Sequence, residues 1–182
     1  LGALYAFKNS SYLIRSASAI GLLIFFYIFD HYYDLDFKRR HYIFIIIIAV
    51  SSFLLSPLYF VYPNYDKIQH LVQPILLSSI FYHSISRLKI EKKWQLMFLF
   101  FVMAGLSGLF ELGEYSLDKL FDWKLQGVFL RDISGLEKYN ILLDRIDDTM
   151  IDMTLGALGA AIYVGFVLIK DRLFVGATRK RL

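Results

Sequence analysis

Five apolar runs punctuate the chain, each close to the roughly 17–25 residues that an α-helix needs to cross a hydrocarbon core about 30 Å thick. The first covers 11–29, with Arg15 near enough to its end for the guanidinium to snorkel outward. The second, 42–62, contains Ile45, Ile46, Ile47 and Ile48 in succession, and Pro57 predicts a bend in it. The third, 68–86, is the least apolar. It carries Gln69, His70, Gln73, Pro74 and His83, and such a helix is expected to face protein rather than lipid. The fourth, 94–114, includes Gly105, Ser107 and Gly108; the fifth, 149–169, includes Gly156, Ala157, Gly159, Ala160 and Ala161. Small residues on both predict close helix-to-helix approach. The pattern predicts an all-α fold: a polytopic transmembrane helical bundle of about five spanning helices, forming a single membrane domain over 1–182.

The connection 115–147 carries a second, weaker pattern. Leu117, Leu120, Phe121, Leu125, Phe129 and Leu130 are spaced to form the apolar stripe of a helix lying at the membrane surface, interrupted at Ser134 and Gly135.

Charge then orients the bundle. Lys38, Arg39 and Arg40 follow the first run, Arg87, Lys89, Lys92 and Lys93 follow the third, and Lys170, Arg172, Arg179, Lys180 and Arg181 follow the fifth. With five spans these segments share one side, and the positive-inside rule makes that side cytoplasmic, together with the carboxyl terminus. The other side receives the short loop 63–67 and the acid-rich connection with Asp118, Asp122, Asp132, Glu137, Asp144 and Asp147.

Composition agrees. Of 182 residues, 57% are apolar, against about 45–50% for a soluble domain. The net charge of +4 resides between apolar runs, where it sets topology; no nucleic-acid partner is expected, and the lipid bilayer is the first partner. Leu1 to Phe7 is apolar with no basic stretch before it, which argues against an intact signal peptide. The chain has no cysteine, so any metal must use oxygen and imidazole ligands.

Such ligands occur in pairs at the outer ends of three runs. Asp66 and His70 are four apart and share a helix face; Glu111 and Glu114 are three apart; Asp148 and Asp152 are four apart, with Asp144 a turn earlier. From Trp94 to Glu111 the helix would rise about 25 Å, which places Glu111 just inside the outer boundary. His70 and Asp152 fall within a turn of the same boundary, so the three pairs meet if the third, fourth and fifth helices are neighbours. Carboxylates gathered in that way repel one another, and a divalent cation removes the repulsion. His70, Glu111, Glu114 and Asp152 are the expected ligands, with Mn, Fe, Zn and Mg all compatible. Asp66 and Asp148 are the candidate catalytic bases. The purely structural alternatives are that Asp148 caps the fifth helix and Asp66 pairs with Lys67. Gln73, a turn beyond His70, is a plausible support for the imidazole. His83 lies nearer the inner side, where packing or a hydrogen bond explains it, and His31 and His41 fall in the first connection with no special role expected.

Read in order, Asp66-Lys67-Ile68-Gln69-His70, Glu111-Leu112-Gly113-Glu114, and Asp148-Thr149-Met150-Ile151-Asp152-Met153 followed by Gly156-Ala157 resemble the YjdF-like family of prokaryotic integral inner-membrane proteins, and more distantly VanZ-like proteins. The resemblance covers about 60–165 and implies an inner-membrane, multi-pass protein. It departs between Glu114 and Asp148, where this connection is longer. The resemblance names no reaction.

Three functions compete on these residues. The first is a metal-dependent membrane hydrolase acting on a lipid-linked or envelope substrate. The second is a non-catalytic accessory subunit of a larger membrane complex, suggested by the lack of a nucleophile, cofactor fingerprint or large soluble domain. Ion or proton transport is the third and fits least, because His83 is the sole titratable group deeper in the bundle.

Overall fold

Helix dominates, as the apolar periodicity requires. The computed structural model describes residues 10–121, 125–131 and 139–179. Among the described residues five α-helices run in order: α1 (Ser10–Tyr33), α2 (Arg39–Ala49), α3 (Tyr65–Ile85), α4 (Lys92–Phe121) and α5 (Arg145–Arg179). Between α4 and α5 stand two short strands, β1 (Val128–Arg131) and β2 (Tyr139–Leu143). Among the described residues, three helices are long and apolar enough to cross a membrane: Tyr12–Tyr33, Lys92–Phe121 and Arg145–Leu173.

By their contacts the residues fall into two units, one of Leu1–Gln69 with Val128–Leu143, the other of His70–Gly127 with Asp144–Leu182. In the first, α1 turns into α2 around Asp30. Its carboxylate accepts the Phe37 N–H at 3.1 Å and the Tyr42 hydroxyl. Phe37 stacks on Phe26 at 4.8 Å, and Tyr42 meets Phe26 edge-on at 5.2 Å. Positive φ angles at Asp34 and Asp36 (50° and 53°) let the chain reverse. His41 is completely buried, and its Nδ1 accepts the Lys38 N–H at 3.2 Å at the start of α2. It therefore closes a helix terminus, a task its sequence position did not suggest.

The second apolar run is not one continuous α-helix. After Ala49 the helix widens into a π-turn over Val50–Leu54 and tightens into a 3-10 turn over Ser56–Phe60. Pro57 is the cause. It has no N–H for the Phe53 carbonyl and disfavours helical geometry at Ser56. The Ser56 hydroxyl donates to Phe53 O instead, at 2.9 Å. Widening sends the Leu55 N–H to Val50 O, which leaves the Ser51 carbonyl without its usual helical donor. Tyr65 Oη and Gln69 Nε2 supply the missing bonds at 2.7 and 2.9 Å, and Tyr59 Oη holds Gln69 Oε1 at 2.9 Å. Gln69, a polar residue buried at the start of α3, thus satisfies backbone that Pro57 exposed.

The surface helix expected along 117–130 does not form as such. Leu117, Leu120 and Phe121 extend α4, whereas Phe129 and Leu130 belong to β1, which pairs antiparallel with β2 (Phe129 with Ile141, Arg131 with Tyr139). α4 ends at Phe121, Gly127 at φ 91° directly precedes β1, and the run Val128, Phe129, Leu130 has the β-branched and aromatic character that a pleated strand favours. The predicted interruption at Ser134 and Gly135 lies outside the described residues.

In the second unit, α3, α4 and α5 pack around Ile85, Leu99, Met103 and Ala160, with Leu77, Phe81, Tyr82, Leu106 and Tyr163 against them. Close approach is concentrated at two glycines of α5. A Cβ on Gly159 would stand 2.5 Å from the Leu71 carbonyl oxygen and 3.2 Å from Pro74 Cβ. A Cβ on Gly156 would fall on the Ser107 hydroxyl of α4. Only the absence of a side chain lets the three backbones come so near. Replacing Gly159 by Ala must push α5 away from backbone that cannot yield, so the melting temperature in detergent should fall by roughly 3–10 °C. Gly105→Ala is the control, since a Cβ there meets nothing within 4 Å; its melting temperature should stay level or rise.

Candidate metal centre

One helical turn outward from those contacts, the same three helices each present a titratable side chain. His70 precedes Pro74 by a turn, Glu111 follows Ser107 by a turn, and Asp152 precedes Gly156 by a turn. His70 Nδ1 stands 3.8 Å from Glu111 Oε1, and His70 Nε2 stands 3.9 Å from Asp152 Oδ2. The three side chains are 11%, 4% and 1% exposed. Phe110 lays its ring edge-on to the imidazole at 5.8 Å and 70°.

Both separations exceed hydrogen-bond length; the two ring nitrogens diverge, so one ion takes only one of them, at a separation that approaches the span of two ligands around that ion. Two ligand atoms about 2.1 Å from a tetrahedral Zn would lie about 3.4 Å apart, and larger ions spread them further. With a neutral imidazole the trio holds two negative charges away from water. That arrangement is costly unless a cation or a proton joins it. The donor set, one imidazole with carboxylates and no thiolate, suits a borderline or hard divalent ion.

Of the remaining expected site residues, Asp66 joins the cluster: Asp66, His70 and Asp152 each offer one ligand atom within 4.8 Å of the others. Glu114, a turn past Glu111, is half-buried, as is Gln73, a turn past His70. Asp66 lies a turn before His70 on α3, with Lys67 Nζ 2.9 Å from its Oδ2. Asp148 is 2% exposed, and its Oδ2 accepts the Gly127 N–H at 2.6 Å. The α5 cap is Asp144 rather than Asp148: its Oδ1 accepts the Ile146 and Asp147 N–H groups at 2.9 and 3.0 Å. His83 Nε2 lies 3.2 Å from Arg87 Nη2.

Asp118, placed by the sequence in the acid-rich connection, and its neighbour Gln126 prove structural. Asp118 is buried, and its two oxygens accept the Leu125 N–H at 2.7 Å and the Gln126 N–H at 3.0 Å. Gln126, also buried, reaches α5 through Nε2 to Thr149 Oγ1 at 3.0 Å. Consecutive amides 125, 126 and 127 are therefore held by two carboxylates, Asp118 from α4 and Asp148 from α5. The clue in the sequence was Asp118 itself, two turns after Glu111 and so on the same side of α4.

Helices of spanning length with a buried carboxylate and histidine cluster define a helical integral membrane protein. A family model described as "Predicted membrane protein (DUF2238)" matches residues 2–172, and the chain belongs to that family, the YjdF-like one. No curated protein and no solved structure matches it.

Asp118→Ala removes the acceptor for two backbone N–H groups, at a cost of about 1–3 kcal/mol. Hydrogen exchange should show amides 125 and 126 losing protection while those around Leu99 and Met103 keep theirs.

Proposed function

We propose that the chain is a five-pass inner-membrane protein of a prokaryote, carboxyl terminus in the cytoplasm, that binds a divalent metal ion at the extracytoplasmic ends of α3, α4 and α5. The observation that carries this reading is that Asp66, His70 and Asp152 each offer one ligand atom within 4.8 Å of the others, with the Glu111 carboxylate 3.8 Å from the same imidazole. His70, Glu111 and Asp152 are the core ligands and Glu114 completes the set. An ion between them offsets the charge of the carboxylates and removes the cost of keeping them from water.

The reaction proposed with this centre is hydrolysis of a lipid-linked or envelope substrate. Were a divalent ion held there, it would supply Lewis acidity and an acidified water, and Asp66 or Asp148 would be the base for the water's proton. Depth supports the substrate class. Glu111 lies 19 residues from the start of α4, about 28 Å along a straight helix, which is near the level where a lipid headgroup would present a scissile bond.

Elemental analysis of the purified, dialysed protein tests the reading. We expect about one Mn, Fe, Zn or Mg per chain, with Glu111→Gln and His70→Ala each lowering occupancy at least tenfold. A wild-type chain that folds and binds none of these ions overturns the metal centre. If it also co-purifies in a stable hetero-complex through detergent extraction, an accessory-subunit role takes the place of hydrolysis.

A further inference from the structure

The turn joining α3 to α4 carries more charge and apolar surface than its contacts to the helices use; Arg87 Nη2 lies 3.2 Å from His83 Nε2 and stays exposed. Within 87–93 it holds Arg87, Lys89, Lys92 and Lys93 against the one carboxylate of Glu91. Lys92 is engaged by Asp171 of α5. Lys93 meets Glu91 at 2.7 Å, but both side chains are 68% exposed, so water screens the pair heavily. Interleaved with these cations, Leu88, Ile90 and Trp94 are 47%, 46% and 48% exposed.

This turn is ordered rather than loose. The Leu88 N–H donates to Ile85 O at 3.0 Å, and the Ser86 N–H to Tyr82 O at 2.8 Å. Buried Gln95 reaches back from α4, its Nε2 donating to Leu88 O at 2.9 Å and Ser86 O at 3.4 Å. The Lys93 ammonium sits 5.5 Å over the Trp94 ring. Because the apolar span of α4 starts at Lys92, the turn stands where hydrocarbon gives way to headgroups. Tryptophan and snorkelling lysine favour that level.

We propose that 87–94 is a preorganised ledge for the phosphate of acidic phospholipids in the surrounding bilayer. Leu88, Ile90 and Trp94 enter the acyl boundary, and Arg87, Lys89 and Lys93 hold the phosphate. The excess of cations selects anionic over zwitterionic lipid, since a lipid without net charge gains no long-range attraction. The exposed aliphatic residues select a lipid over a soluble phosphate, which has nothing to bury against them.

The test uses the full chain in a mild neutral detergent. Phosphatidylglycerol, phosphatidylcholine or soluble glycerol phosphate is added at matched concentrations. Native mass spectrometry reads the molecules retained, and thermal unfolding reads the stabilisation. Phosphatidylglycerol should be retained and raise the melting temperature, with the other two having little effect. The combined variant Arg87→Gln, Lys89→Gln, Lys93→Gln should bind phosphatidylglycerol at least tenfold more weakly. Equal retention of phosphatidylcholine, competition by glycerol phosphate at equal concentration, or undiminished binding by the variant overturns the proposal. Should the variant not fold, the wild type decides: its phosphatidylglycerol affinity must fall as salt rises from about 0.05 M to about 0.5 M, and a flat response overturns the proposal equally.

Discussion

The bare backbone of α5 at Gly156 and Gly159 is the constraint on which the second unit depends. In a bilayer, apolar side chains gain little by leaving lipid for protein, so helix association relies on close packing. Gly159 lies against the Leu71 carbonyl and Pro74, and Gly156 against Ser107. That layer brings the backbones of α3, α4 and α5 close enough for side chains one turn away to converge. His70, Glu111 and Asp152 occupy that next turn, with each carboxylate under 4 Å from a nitrogen of the imidazole. Wider spacing of the helices would separate the carboxylates from the imidazole and remove both the repulsion and the opportunity to hold a cation.

A second theme is the care with which backbone polar groups are satisfied. Pro57 breaks the second apolar run, and its consequences are met locally by Ser56, Tyr65 and Gln69. Beyond α4, Asp118 and Asp148 take three successive amides of the connection. At the start of α4, Gln95 covers the carbonyls of Ser86 and Leu88. Each of these polar side chains is partly or wholly removed from water, and each answers a break in regular helix. A low-dielectric surrounding makes an unanswered break expensive. Among the described residues, several buried polar side chains serve backbone, and others confront one another. The second group contains His70, Glu111 and Asp152.

Membrane residence, the helical class and family membership were legible in apolar run length and in three short motifs. The Asp66–Lys67 pair was foreseen as a structural alternative, and the structure shows it. Less legible was how each acid is used. Asp148 and Asp152 look equivalent as an i, i+4 pair, yet one faces the Gly127 amide and the other the imidazole. Asp118 read as a solvated charge and is buried. His41 read as an idle residue of a connection, yet it closes the start of α2. Periodicity describes which face a side chain occupies, not what the neighbouring element places opposite it. The same limit explains the connection after α4, where an apolar stripe compatible with helix is shared between the end of α4 at Phe121 and the strand Val128–Arg131.

By itself the sequence determined that the chain is an apolar, helix-forming membrane protein with acids and a histidine near helix ends, because segment length and residue type act locally. Tertiary structure alone decided which of those groups meet. That outcome depends on the distance of closest approach between α3, α4 and α5, and this distance is set by what stands across from Gly156 and Gly159. No single segment contains that information, since each glycine is permissive in isolation and becomes decisive only against the backbone of another helix.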